Sequence, residues 1–367
     1  MTNSLMRLCV VATALLTVLG PSWAAAGPGT PVILGKGTNL AHWLSQSQRR
    51  GEERRLFIDE DDIAYISELG FEHIRLPVDE QQMWDEDGNR DADAFEIMHN
   101  AIRWSLKYGM PVVVDLHILR SHHFNAEEKP LWTEPDAQRQ FIDLWRDLSE
   151  ALHDYPHDGV VYELMNEPVA DDPEDWNKLV AKAFAAIREL EPGRTIMIGS
   201  NRWQSADTFD ELVVPDDDNI ILSFHFYEPF ALSHYKTSWT FLEDYEGPVH
   251  YPGEIITQTE FDALPDDQKD IVRGYVGQTF DKQVLRQMME KPLRVAKTLG
   301  LPVYCGEYGV FDKAPAADRL RWYKDILAVF REEGISSANW NYKSNSFGFV
   351  ANDGQSIDAI KNVLVEN

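Results

Sequence analysis

Two glutamates close apolar runs in this sequence. Glu167 follows a run that opens Val160-Val161-Tyr162 and sits between Asn166 and Pro168, and Glu307 follows Val303-Tyr304-Cys305-Gly306. A pair of carboxyl groups held at the ends of buried segments can divide acid and base work. Hydrolysis of a glycosidic bond needs one carboxylic acid to protonate the leaving oxygen and one carboxylate to attack or stabilise the cationic sugar centre. With the two carboxyls about 5–5.5 Å apart, the reaction would retain configuration through a covalent glycosyl-enzyme. The competing reading of either glutamate alone is a buried ion-pair partner. Further polar residues close other apolar runs in the same way: Arg75, Asp115-Leu116-His117, Asn201 with nearby Trp203, His225-Phe226-Tyr227 and Trp340.

Such residues meet only if the runs lie side by side with their ends on one rim. The runs are Val32–Leu34 continuing toward Ala41, His73–Val78, Pro111–His117, Val160–Pro168, Thr195–Ser200, Asn219–Tyr227, Pro302–Gly309 and Ser336–Tyr342. Between them the apolar period becomes helical over Asp61–Leu69, Ala94–Tyr108, Asp136–His153, Glu174–Leu190, Lys282–Leu299, Ala316–Glu333 and Ser356–Val365. Gly70, Gly109, Gly193, Gly300 and Gly334 stand where helices would stop. Eight strand and helix alternations predict an α/β protein, a single (β/α)8 TIM barrel whose active site lies at the C-terminal ends of its strands. An open doubly wound sheet is the competitor, but Gly35-Lys36-Gly37 lacks the third glycine and the helix start of a phosphate loop. Between the fifth and sixth strands only a short helical turn near Ala206–Leu212 is expected. The connection after strand six, Glu228 to Asp281, is outsized and rich in Trp, Tyr, Pro and acids, and is expected as an enlarged active-site loop.

The closers occur in motifs that resemble those of glycoside hydrolase family 5, the cellulase family. HIRLPV holds Arg75, DLH holds His117, MNEP holds Asn166 and Glu167, HFY holds His225 and Tyr227, GEYG holds Glu307 and ANW holds Trp340. GTNLAHW at residues 37–43 and SFGFVANDG at residues 346–354 resemble the family's first-strand and last-loop segments. The resemblance implies Glu167 as acid/base and Glu307 as nucleophile, on strands four and seven, with no cofactor and no metal. The physical roles agree. Arg75 can hold the Glu307 carboxylate ionised and oriented, Tyr227 can donate to it, and Asn166 can donate to the sugar 2-hydroxyl. His225 is expected against Glu167, His117 against substrate hydroxyls, and Trp340 under a pyranose ring. Trp43, Trp84, Trp132, Trp203, Trp239 and Tyr251 fall in or near expected loops, where they can line sugar subsites.

Composition bounds the partners. The chain has 367 residues with 61 acidic against 34 basic side chains, a formal net charge of −27. That charge disfavours nucleic acid and anionic membranes and fits a neutral β-glycan substrate. Arg7, the apolar run Leu8 to Leu19 and Ala24-Ala25-Ala26 read as a signal peptide over residues 1–26, leaving 27–367 as the catalytic barrel, secreted or periplasmic and monomeric. Of the 2 cysteines, only Cys305 would remain, so no intramolecular disulfide is expected. His117, His122 and His123 lack metal-site spacing, and Asp85 to Asp91 reads as a polar turn rather than a calcium loop. The function expected is endo-β-1,4-glucanase. Exo-acting β-glucosidase, β-1,3-glucanase, β-mannanase and mixed-linkage glucanase are alternatives within the enzyme class, and a noncatalytic carbohydrate-binding barrel lies outside it.

Overall fold

The largely apolar runs become strands buried on both faces. In β2 (His73–Val78) and β3 (Val112–Leu116) every residue is buried, as a parallel sheet covered by helices requires. With β1 (Lys36–Asn39), β4 (Val160–Glu163), β5 (Ile196–Gly199), β6 (Ile220–Phe226), β7 (Val303–Tyr308) and β8 (Ser336–Asn339), they form a closed barrel. Each strand pairs in parallel with its neighbours in sequence, and β8 pairs with β1. The structure is a computed structural model and describes residues 31–366. The expected signal peptide therefore lies outside the described residues, among which no helix is long and apolar enough to cross a membrane.

Helices cover the barrel by burying one stripe each. Pro135–Leu152 starts on a proline and turns Phe141, Leu144, Trp145, Leu148 and Leu152 inward. Ala316–Glu333 stops at Gly334, whose φ of 69° a side chain would resist. Gly193, by contrast, does not take a left-handed φ; a Cβ there would meet the His157 ring, so it is small for space rather than for conformation.

The barrel interior is layered. Its lower layer is apolar, with Val113, Val161, Met197, Ile221, Tyr304 and Ala338 packed together and closed by Val32 and Leu34. The layer above is polar and equally buried: Arg75, Asp115, Glu163 and Ser223 are all at 0 % exposure. Register places Asp115 beside Glu163, so the pair faces the same interior.

Several boundaries differ from expectation. The first strand is Lys36–Asn39, and Val32 and Leu34 plug the barrel floor instead. Strand four ends at Glu163, although the Leu164 N–H still bonds Met197 O at 3.1 Å and the Asn166 N–H bonds Leu116 O at 3.0 Å. The helix expected over Lys282–Leu299 is two, Lys282–Met288 and Glu290–Leu299. Pro292 explains the break: it has no N–H for the carbonyl four residues back, and is tolerated only in a first turn. The connection from Glu228 to Asp281 is not a simple loop. It carries helices Phe230–Ser233, Gln258–Ala263 and Asp266–Val272 and an antiparallel pair, Gly253–Glu254 with Thr279–Phe280. It also buries its own apolar residues, among them Leu242, Tyr245, Val249, Ile255 and Ile256.

Candidate active site

The site is built on one buried guanidinium. Arg75 donates from Nε to Glu163 Oε2 at 2.6 Å, from Nη1 to Glu307 Oε1 at 2.8 Å and Asn39 Oδ1 at 2.9 Å, and from Nη2 to Asn166 Oδ1 at 2.8 Å. Its Nη2 also lies 3.0 Å from Asp115 Oδ2. One positive group thus faces three buried carboxyls, too few charges to hold all three ionised cheaply. Burial pushes Asp115 up to about 7 against the pull of Arg75, and raises Glu163 as well.

Glu307 and Glu167 meet above this layer. A register shift between Phe224 and His225 sets His225 opposite Glu307 across the β6–β7 ladder. His225 Nδ1 is then 2.9 Å from Glu167 Oε1. Tyr227 donates its hydroxyl to Glu307 Oε2 at 2.9 Å. One oxygen of Glu167, one of Glu307 and a ring nitrogen of His225 all lie within 4.8 Å of one another.

The two carboxyls have different surroundings. Burial, and then the charge of Glu307, hold Glu167 well above the ordinary carboxylate range. Burial raises Glu307 too, but the Arg75 guanidinium and the Tyr227 hydroxyl pull it back. Glu167 is therefore the one that keeps a proton, and Glu307 the one that gives it up first. Burial drives His225 well below its usual value, so it stays neutral. Among the described residues this trio has the spacing to hold a metal ion. Both oxygens of Glu307 already accept hydrogen bonds, from Arg75 and Tyr227.

The remaining expected residues surround the pair. His117 Nδ1 is 2.7 Å from Asp115 Oδ2, and burial keeps its ring neutral, its pKa pushed down to about 3. The ring lies parallel to Trp340 at 5.7 Å between centroids. Asn166 is buried, its Oδ1 held by Arg75, while its Nδ2 has no partner among the described residues. An unpaired buried donor on a cavity wall is a place for a ligand acceptor.

Two cavities meet at the carboxyls. The first, about 580 Å³, is lined by Glu307, Glu167, Asn166, His117, Trp340 and polar residues including Gln46, Asp79 and Gln81. The second, about 630 Å³, shares Glu167, Tyr227 and Trp239 and continues past Trp203, Asp207 and Phe241. Glu307 lines only the first, whereas Glu167 stands at the junction.

The aromatic residues divide sharply. Trp203 and Trp239 line the second cavity. Trp43, Trp84 and Tyr251 are core instead, with polar tips bonded to Arg54 O, Asp147 Oδ2 and Asp325 Oδ2. Trp132 packs against His122 and Trp176 and lines neither cavity. His122 is buried and accepts from the Val169 N–H through Nε2. Asp85 closes a polar turn by accepting from the N–H groups of Asp87 and Asn89. Cys305 is buried within β7.

Sequence reasoning missed four polar residues of the site: Asn39, Glu163, Asp115 as a partner of His117, and Gln204. Asn39 and Glu163 carry a readable signal, since each is a polar residue in a buried strand, where it needs a partner. Gln204 lies in the short left-handed turn after β5 and carries none.

The profile of the family described as Cellulase (glycosyl hydrolase family 5) matches residues 29–346. Endoglucanase C of Acetivibrio thermocellus is 32% identical over 323 residues, covering 86% of this chain and 93% of its own. Cellodextrinase A of Ruminococcus flavefaciens is 31% identical over 305 residues, covering 82% and 83%. Among solved structures, endoglucanase Cel5A of Thermotoga maritima superposes with a TM-score of 0.72 at 24% identity, over 90% of this chain and 97% of that one. At that identity the likeness concerns the fold.

Proposed function

The chain belongs to the cellulase family, glycosyl hydrolase family 5, and on that premise we propose that Glu167 is the acid/base and Glu307 the nucleophile of a retaining endo-β-1,4-glucanase. It is a glycoside hydrolase with a β-glycan substrate. One observation carries the assignment of roles: two carboxyls with one oxygen of each within 4.8 Å of the other, one carboxyl raised well above the ordinary range and one held by a guanidinium. Inverting enzymes need about 6.5–9.5 Å to admit a water between the carboxyls, whereas retaining ones use about 5–5.5 Å.

The glycone sugar lies in the first cavity, its ring against Trp340. Asn166 Nδ2 donates to the 2-hydroxyl, a contact that strengthens as the ring gains positive charge. With Asp115 accepting from Nδ1, His117 presents Nε2 as an acceptor to a sugar hydroxyl. Glu307 attacks the anomeric carbon while Glu167 gives its proton to the departing oxygen, which leaves through the second cavity. Glu167, now ionised, then takes a proton from water as that water displaces Glu307 and restores both groups. The Glu228–Asp281 connection supports mid-chain cleavage. Its Phe241, and the Trp239 shared between the two cavities, wall the leaving-group side, where further sugar units of a polymer would lie.

A signal peptide over residues 1–26 and export, supported by the leader pattern, belong to the same proposal, as does a monomeric chain. The net charge of −27 supports a neutral substrate over nucleic acid or a membrane. The test is digestion of a soluble β-1,4-glucan followed by viscometry and product sizing. Viscosity is expected to collapse while few reducing ends have formed. Glucose or cellobiose release at nearly constant viscosity would overturn endo action.

A further inference from the structure

Residues after β5 adopt a backbone that L-amino acids avoid. Arg202, Trp203 and Gln204 have φ of 52°, 61° and 51°, three consecutive non-glycine residues in the left-handed region. Such a stretch persists only where its surroundings over-determine it. Here the determinant is Gln204, whose side chain is fully buried beneath the acid/base glutamate. Its Oε1 accepts from the Glu167 N–H at 2.8 Å. Its Nε2 donates to Glu163 Oε1 at 3.0 Å and to Ser223 Oγ at 2.9 Å. Gly199 makes room for it, since a Cβ there would lie 2.4 Å from that Nε2.

What Gln204 holds is itself strained. Glu167 has a φ of 46°, so its side chain reaches the cleft from a backbone with little intrinsic preference for that shape. The bonds continue from Gln204 through Glu163 to Arg75 and Glu307. On its other side the same turn presents Trp203, 44% exposed, to the leaving-group cavity, with the Trp203 N–H bonded to Pro168 O at 3.2 Å. A side chain below the catalytic rim and an aromatic face above it are thus adjacent residues of one left-handed turn.

We propose that Gln204 is a positioning residue for the acid/base Glu167, and that through this turn a leaving group seated on Trp203 is coupled to the placement of the Glu167 carboxyl. The inference rests on the reading of Glu167 as acid/base. Glutamine is suited because one amide offers an acceptor to the Glu167 N–H and donors to Glu163 and Ser223. Alanine would leave the Glu167 N–H without its acceptor and take one donor from the Glu163 carboxyl, which keeps Arg75 and the Ser223 hydroxyl.

The test compares kcat/KM for two cellobiosides on folded protein, one with a dinitrophenyl leaving group that departs without a proton and one with an alkyl leaving group that needs it. Gln204→Ala is expected to lose about 10- to 100-fold on the alkyl glycoside, the scale of an ångström of misplacement, and less than about 3-fold on the dinitrophenyl one. Gly199→Ala, which displaces the amide without removing it, is expected to show the same split, and stands in if Gln204→Ala does not fold. On the alkyl glycoside the double variant Trp203→Ala/Gln204→Ala is expected to lose less than the product of the single losses. Equal losses on both substrates, or strictly multiplicative ones, would overturn the proposal. Glu167→Ala measured alongside separates the two levels. If it shows the leaving-group split and Gln204→Ala does not, the inference about Gln204 alone fails; if Glu167→Ala lacks the split, the acid/base reading fails and this inference with it.

Discussion

Glu307→Gln is expected to lower kcat/KM on every β-glycan by about 10⁴-fold or more, while the protein folds and melts at or above the wild-type temperature. The loss in rate follows from chemistry: the amide is isosteric but cannot form the glycosyl ester, and no other carboxylate lines the first cavity at that position. The gain or neutrality in stability follows from electrostatics. Arg75 is shared among Asp115, Glu163 and Glu307, and burial leaves the Glu307 carboxyl raised even with that partner. A carboxyl whose folded pKa is raised binds its proton more tightly in the folded protein. Its unfavourable contribution is absent below the unfolded pKa and complete once pH has risen through the folded one. The melting-temperature difference between variant and wild type is therefore expected to widen as pH rises from the acid side to neutrality. Thermal unfolding across that range, beside steady-state kinetics, checks both parts. A variant that retains near-wild-type turnover, or a difference that widens toward acid, would contradict the account.

Glu167→Ala is expected to split substrates by leaving group. For an unactivated oligosaccharide the loss is about 10²- to 10⁴-fold, the range of general acid catalysis. For a dinitrophenyl glycoside, glycosylation proceeds nearly as in the wild type, and the slow step becomes attack of water without a base. Azide, which needs no base, is expected to restore turnover and to give the β-glycosyl azide. The pH profile changes with it. In the wild type kcat/KM is expected to fall on the basic side as Glu167, raised by burial and by the charge of Glu307, loses its proton. On the acid side it falls as Glu307 gains one. In Glu167→Ala the basic limb is expected to disappear for the dinitrophenyl substrate while the acid limb remains. Uniform loss on both substrates, or a basic limb that persists unchanged, would remove Glu167 from the acid/base role.

The fold was legible because a parallel barrel writes itself in repeated form. Runs such as Val112–Leu116 must be largely apolar to lie between a filled interior and a coat of helices, and a polar residue near the end of such a run has one place to go. Arg75, His117, Asn166, Glu167, His225, Tyr227, Glu307 and Trp340 all came from that pattern, and the structure brings them to one cleft. What stayed hidden has no period. Trp43, Trp84 and Tyr251 sit in segments that looked like loops, yet a loop anchored by a buried indole or phenol reads no differently from one that displays it. The small core of the Glu228–Asp281 connection was missed because its strands are two residues long. Gln204 was invisible because its importance lies in three left-handed φ angles and a neighbouring glycine, and residue type alone does not encode a turn that tertiary contacts impose.

The most direct test of the central claim is the anomeric configuration of the first product. Proton NMR of cellotetraose or a longer β-1,4-glucan oligosaccharide, recorded within the first minutes of hydrolysis and before mutarotation, reads it without any variant. Two carboxyls with facing oxygens within 4.8 Å, working as nucleophile and acid/base, are expected to yield the β-anomer first, with the α-anomer growing in only as mutarotation proceeds. An α-anomer formed first would mean that water attacks directly, and would contradict the assignment of Glu307 as nucleophile.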